Sequence, residues 1–172
     1  MLLAAVLAGI AVYAWVNRPQ PVPEAQPLFP CDVTNAIDVL VTGHDGKQVE
    51  VTRPSIRELW VVVKPLRAPA DQDSARTLAE DLHSIVPKNR IDHPDAPAAY
   101  GLDSPRLAVT CRVNSGASYT LTVGKENFDR SGYYAAKTGD GRVYVISSVP
   151  IDDYDRQLVT PPVLTGASPT PT

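Results

Sequence analysis

Short runs in which apolar and polar residues alternate, joined by turns that contain glycine, are the feature that most limits how this chain can fold. Residues 37–41 lead through Asp45-Gly46 into residues 49–52. Asp-Gly between two such runs favours a tight hairpin, because the turn needs positive φ angles that glycine adopts at little cost. Further runs of the same kind follow at 59–63, 107–113, 119–123, 133–137 and 142–146. The chain is therefore predicted to form antiparallel β-hairpins.

One amphipathic helix is predicted between Asp71 and Pro87. Asp71 is the expected N-cap and Pro87 ends the helix, while a short second helix near 151–158 is left open. Apolar residues recur between them at i, i+3, i+4 and i+7 spacing, in a single stripe formed by Ala75, Leu78, Ala79, Leu82, Ile85 and Val86. The predicted fold class is α+β: an N-terminal transmembrane helix, then antiparallel hairpins with this one main helix packed on the sheet.

The first sixteen residues carry no charged side chain, and Arg18 follows them. Seven Leu, Ile or Val side chains, with two aromatic ones near the end of the run, are typical of a membrane anchor. The predicted span residues are Leu2, Leu3, Val6, Leu7, Ile10, Val12, Tyr13, Trp15 and Val16. As a helix the run reaches about 24 Å, shorter than the roughly 30 Å hydrocarbon core. A cleaved signal peptide and a buried helix stay open as alternatives.

Proline marks the predicted domain boundaries. Five of the seventeen prolines fall between 19 and 30, and five more lie at or after position 150. Proline-rich segments favour extended spacers or unstructured tails. We therefore predict an anchor at 1–16, a Pro-rich spacer at 17–30, an α+β globular domain at 31–158 and a flexible Pro/Thr/Ser tail at 159–172.

Few residues point to chemistry. The formal net charge of −3 argues against a nucleic-acid partner. The three histidines, His44, His83 and His93, do not share metal-ligand spacing, and no nucleophile motif or phosphate-binding loop is present. The sequence predicts no catalytic residue, no cofactor and no metal site.

Cys31 and Cys111 are the only two cysteines. If the body is exported they can form a disulfide, and closing a loop of about 80 residues would stabilise the fold by up to ~4 kcal/mol in the entropic model. Two buried thiols are the other interpretation, and the sequence leaves both open.

Several stretches together resemble a bacterial domain family of unknown function. They are centred on Trp60 with Pro65, on Tyr100-Gly101-Leu102 with Pro105, and on Gly132-Tyr133. Members of that family carry one N-terminal span, and some are encoded beside auxiliary components of gliding-motility-type ABC transporters. The resemblance implies a single copy of the domain here, membrane attachment and an extracytoplasmic setting, and it brings no catalytic residue. Independently of it, the Tyr100 stretch is interpreted as a structural turn.

These observations lead to one functional expectation and two alternatives. We expect a non-enzymatic, membrane-anchored accessory or scaffold subunit of a larger membrane complex, whose partners are the lipid bilayer and integral membrane subunits. Arg18 after the run favours a cytoplasmic body, but the resemblance favours a single-pass protein of the bacterial inner membrane with a periplasmic body. The alternatives are a periplasmic ligand-binding or sensory module and an uncharacterised enzyme.

Overall fold

A computed structural model describes residues 26–166, in which nine strands form one antiparallel sheet. The strands are β1 Ala36–Gly43, β2 Gln48–Thr52, β3 Val61–Lys64, β4 Ala68–Pro69, β5 Asn89–Ile91, β6 Leu107–Val113, β7 Ser118–Glu126, β8 Tyr133–Lys137 and β9 Val143–Ile146. Their order across the sheet is β4-β3-β2-β1-β6-β7-β8-β9-β5. The two shortest strands, β4 and β5, are therefore the two edges.

Two α-helices, α1 Gln72–Ser84 and α2 Val149–Val159, pack on the sheet near β1, and a 3₁₀ turn covers Pro97–Tyr100. Asp71 is the N-cap of α1, as predicted, and accepts a hydrogen bond from the Ser74 backbone N–H at 2.9 Å. The buried Tyr154 hydroxyl on α2 donates to the Leu78 carbonyl at 2.9 Å, which fastens the two helices together.

The central strands explain how one face of the sheet becomes the core. Val39 of β1 pairs with Val51 of β2 on one side and with Cys111 of β6 on the other, and all three are fully buried. Their neighbours Leu40 and Glu50 pair on the opposite face, because successive side chains alternate between faces. The Asp45-Gly46 turn closes the β1–β2 hairpin as predicted, with φ +80° at Gly46.

The predicted architecture was wrong, although the chain does combine helices and strands. An N-terminal transmembrane helix and antiparallel hairpins with one main helix packed on the sheet were expected, whereas a single nine-stranded sheet dominates the described residues and carries two helices of similar length. Strands β4 and β5 were missed because they contain only two and three residues and show no alternation. Long-range pairing also joins the hairpins: β1 pairs with β6, and β9 with β5.

Both ends of the described chain pack on the body. The Leu28 backbone N–H donates to the Ile85 carbonyl at 2.8 Å, and Phe29, in the predicted spacer, is 1% exposed. At the other end Val163, in the predicted tail, forms a β-bridge with Ala70. The predicted anchor at 1–16 lies outside the described residues. Neither α1 nor α2 has the length and apolarity that a bilayer-crossing helix needs.

The contact between α1 and α2 contains one perturbed carboxyl group, that of Asp81. Burial, together with the nearby Asp153 and Glu80 carboxylates, raises its pKa to about 7, and the Arg156 guanidinium only partly opposes them. Its Oδ2 is buried and accepts no hydrogen bond within residues 26–166. The folded state therefore binds a proton on Asp81 more tightly than the unfolded state does.

We expect this carboxyl group to make stability depend on pH. Its contribution is fully present below the unfolded pKa of about 4 and is lost as the pH rises to 7. Asp81→Asn should therefore stabilise the protein by about 1–2 kcal/mol above pH 7, a figure reduced for solvent screening. Urea unfolding of the full-length protein between pH 4 and 8 measures this. The exposed Asp103→Asn is the control, and parallel pH profiles for both variants would contradict the assignment.

Candidate functional site

A groove of about 430 Å³ opens where β3 and β4 meet the C-terminal segment. Apolar side chains and backbone form most of its wall, which consists of Leu59, Trp60, Val61, Arg67, Ala68, Pro69, Ala70, Gln72 and Leu164. Segment 162–164 forms one side because the Leu164 N–H donates to the Pro69 carbonyl at 2.9 Å and the Asp71 N–H donates to the Pro162 carbonyl at 2.8 Å. The groove is thus built at one edge of the sheet, from elements distant in sequence.

Gln72, at the start of α1, fixes Trp60 in the groove wall. The Gln72 Oε1 accepts from the Trp60 backbone N–H at 2.9 Å, and its Nε2 donates to the Trp60 carbonyl at 3.0 Å. The same Nε2 donates to the Ala70 carbonyl at 2.9 Å. One side chain therefore ties the helix, β3 and the residue after β4 together, and the groove wall is held by the core.

Arg53 lies against Trp60 and is almost completely buried, with 6% of its surface exposed. Its guanidinium carbon is 4.4 Å from the Trp60 ring centroid. Burial, and to a smaller extent the Arg76 charge, lower the pKa of Arg53. The guanidinium donates to three main-chain carbonyls, those of Val33, Ala36 and Ile56, at 2.6, 2.8 and 3.1 Å. It forms no salt bridge within residues 26–166.

Two exposed large apolar side chains line this groove, and two more lie on the segments that flank β3. Leu59 is 72% exposed and Leu164 is 47% exposed, and both line it. Ile56 and Leu66, on the segments that flank β3, are also exposed. These four are a majority of the seven large apolar side chains exposed in the described part of the chain. Clustered exposed apolar side chains mark interaction surfaces more often than single ones do.

Comparison with family models identifies the domain that contains the groove. A model described as a domain of unknown function, DUF4340, matches residues 60–159, which is more than half of the chain. The chain belongs to the DUF4340 family. The matched region starts at Trp60 and ends with α2, so it contains most of the groove wall. Neither the curated proteins nor the solved structures that were compared give a match.

Membership of DUF4340 confirms the predicted resemblance to a domain of unknown function. Among the residues that carried the resemblance, Trp60 lies in the groove wall and Pro65 directly follows β3 after a cis peptide bond. The others lie in the half of the sheet away from the β4 edge, next to the start of β6 and around β7, β8 and β9. Of the residues that carried the resemblance, Trp60 alone therefore lines the groove.

The Tyr100 motif of this DUF4340 domain packs against β7. Gly101 has φ +72°, and a side chain on Gly124 would collide with the Tyr100 carbonyl oxygen. The Tyr100 ring lies 5.0 Å from that of Tyr134, edge to face, and its hydroxyl accepts from the Asp95 N–H at 3.2 Å. These contacts agree with the interpretation of the motif as a structural turn, in which Leu102 and Pro105 continue the chain toward β6.

Gly132, directly before β8, and Tyr133, its first residue, lie in an equally tight place. A side chain on Gly132 would collide with the Ile146 carbonyl oxygen of β9. Tyr133 is buried, and the Arg106 guanidinium lies 5.2 Å from its ring centroid. Arg106 in turn pairs with Asp155 of α2. This contact ties the sheet to α2 and has no part in the groove.

The structure joins Cys31 and Cys111 in a disulfide, which is one of the two interpretations that the sequence left open. Within residues 26–166 no group of three histidine, cysteine, aspartate or glutamate side chains is arranged to hold a metal ion. His44 lies near the Pro105 carbonyl, with 3.2 Å from its Nδ1 to the carbonyl oxygen, and the exposed His93 lies in a separate loop.

Sequence reasoning missed most of the groove of this DUF4340 domain. Leu59 was assigned to a strand, Leu164 to a tail, and Gln72 to no role beyond the helix. Arg53 and Arg67 were not singled out at all. One signal was present: four arginines occur between positions 53 and 76, in a chain whose net charge is −3.

Proposed function

We propose that this DUF4340 protein is a non-enzymatic accessory or scaffold subunit that works at a membrane, outside the cytoplasm, by binding another subunit. The observation that carries the proposal is the apolar groove at the β3–β4 edge, where Leu59 and Leu164 are exposed beside a wall held by Gln72. An exposed apolar surface on a well-ordered edge is suited to binding a partner.

The extracytoplasmic setting is supported by the Cys31–Cys111 disulfide, because such bonds persist mainly in oxidising compartments. The uncharged run at 1–16 supports attachment to the bacterial inner membrane by a single segment, with the body in the periplasm. The partners proposed are the bilayer and integral membrane subunits. The gliding-motility-type ABC transporters beside which some relatives are encoded are one such assembly.

A ligand-binding or sensory module is the second candidate, and the size of the groove is the observation in its favour. A volume of about 430 Å³ is within the usual range for small-molecule sites. Such sites normally contain several convergent polar groups. Here the polar groups of the wall are the side chains of Arg67 and Gln72 and the buried Trp60 indole N–H. The indole N–H has no hydrogen-bond partner within residues 26–166, and Gln72 is already engaged by main-chain groups.

Purification of the full-length protein from native membranes in mild detergent tests the proposal. We expect a stable partner to co-purify with the wild type, and Leu59→Asp to reduce its recovery about tenfold, because a charge in an apolar contact must be desolvated. Phe128→Asp is the matched control, since Phe128 is 92% exposed on the β7–β8 connection, away from the groove. Its partner recovery should match that of the wild type.

Other results of this experiment would contradict the proposal. A lone monomer carrying a small molecule would favour the ligand-binding module. Turnover of a substrate by the purified protein would favour an enzyme. Equal loss of the partner in Leu59→Asp and Phe128→Asp would remove the groove from the binding surface.

A further inference from the structure

We propose that the groove binds an extended, acidic segment of a partner protein in which carboxylate and apolar side chains alternate. The inference rests on the proposed function and adds the chemistry of the partner. Two features of the groove carry it: the exposed arginines near it that form no salt bridge within residues 26–166, and the extended chain already docked at its edge.

The arginines near the groove differ from most of those elsewhere in residues 26–166. Arg67 lines the groove, Arg53 lies against its Trp60 wall, and Arg76 is one helical turn beyond Gln72, on the same side of α1. Arg57 lies on the loop before Leu59. Arg57, Arg67 and Arg76 are exposed and form no salt bridge within residues 26–166, whereas Arg53 is buried and its guanidinium is engaged by three main-chain carbonyls. By contrast, five arginines elsewhere in that range are paired with aspartates, namely Arg90, Arg106, Arg112, Arg142 and Arg156.

The local charge is therefore opposite to that of the whole chain. Segment 53–76 contains five cationic side chains, of which Lys64 is paired with Glu50, and three carboxylates, whereas the full chain has a net charge of −3. One of those carboxylates, Asp71, is engaged as the helix N-cap. An arginine-rich border around an apolar centre complements a ligand that carries both carboxylates and apolar groups.

The shape of the edge favours an extended chain. Residues 162–164 already dock there, through the Ala70–Val163 bridge and the hydrogen bond from the Leu164 N–H to the Pro69 carbonyl. Val61 and Pro69 are partners in the β3–β4 pairing, and both line the groove together with Leu59, which precedes β3. An extended ligand presents every second side chain to such a surface, which is how peptides are recognised at sheet edges.

Peptide selection with the full-length protein tests this inference. Random peptides of about twelve residues displayed on phage are selected on the protein in detergent, and the enriched peptides are measured by fluorescence anisotropy. We expect enriched peptides to alternate acidic and large apolar residues. Arg67→Glu should weaken their binding about tenfold, because it replaces an attractive charge with a repulsive one.

Arg130→Glu is the matched control. Arg130 is exposed, forms no salt bridge within residues 26–166, and lies on the β7–β8 connection, several strands from the groove. It carries the same charge change as Arg67→Glu and should leave peptide affinity within about twofold. Raising the salt concentration should weaken binding to the wild type more than binding to Arg67→Glu.

Several results would overturn the inference. These are selection of no peptide, enrichment without acidic residues, or equal loss of affinity in Arg67→Glu and Arg130→Glu. Displacement of the peptide by short-chain phosphatidylglycerol, with the same dependence on Arg67, would assign the groove to a lipid headgroup. Failure of the proposed function is distinguishable, because a native partner retained by Arg67→Glu refutes only the acidic segment, whereas absence of any native partner refutes the accessory role.

Discussion

Removing the Cys31–Cys111 disulfide is expected to lower the free energy of unfolding by about 4 kcal/mol. The bond joins two residues 80 positions apart, and both are fully buried. It attaches the segment before β1 to β6, a central strand of the sheet. Cutting this long loop gives the unfolded chain many more conformations, while the folded chain keeps its sheet pairings.

Urea unfolding of the full-length protein in mild detergent measures this effect. The wild type under oxidising conditions is compared with Cys31→Ala/Cys111→Ala, and both are repeated with reductant. Reductant should destabilise the wild type and leave the double variant unchanged. Thiol labelling in intact cells gives a second readout, since both cysteines should resist maleimide until they are reduced. Free thiols in those cells would contradict the proposed export.

The hairpins of the sheet were predictable wherever one local signal determined them. Asp45-Gly46 gave the β1–β2 turn, and Asp71 gave the start of α1. The edges were not predictable, because β4 contains Pro69 and has two residues, and β5 is a polar stretch whose pairing with β9 spans more than fifty positions. The assembly of hairpins into one sheet depends on pairings of this length, and no local pattern encodes them.

The candidate site was less predictable than the fold, for a related reason. Trp60 was singled out through a family resemblance, and both it and Leu59 were placed in a strand that in fact begins at Val61. The groove exists because β3, β4, the first turn of α1 and Leu164 meet in space. The run of arginines was visible in the sequence. Their lack of carboxylate partners appears only when the neighbours of each guanidinium are known.

Replacing Arg53 is the second large effect that we expect. Arg53→Met replaces the aliphatic stem of arginine with an apolar side chain of similar shape, and it removes the N–H donors to the Val33, Ala36 and Ile56 carbonyls. It also removes the cation next to the Trp60 ring. Three buried carbonyls lose their charged donor at once, which destabilises the fold, whereas removing the buried cation also removes its desolvation cost. The net loss of unfolding free energy should be about 3 kcal/mol.

The variants around Arg53 separate its structural role from its charge. Arg76→Met removes a nearby exposed guanidinium and should change the unfolding free energy by no more than about 0.5 kcal/mol. Arg53→Lys keeps the charge but lacks the planar guanidinium that reaches three carbonyls at once. Its stability should therefore fall between those of the wild type and Arg53→Met.

Urea unfolding of the full-length protein in a Trp15→Phe background follows these changes through the fluorescence of Trp60 alone. Equal stability of Arg53→Met and Arg76→Met would show that the three carbonyl contacts contribute nothing. In that case the groove wall would depend on the Gln72 contacts with the Trp60 backbone.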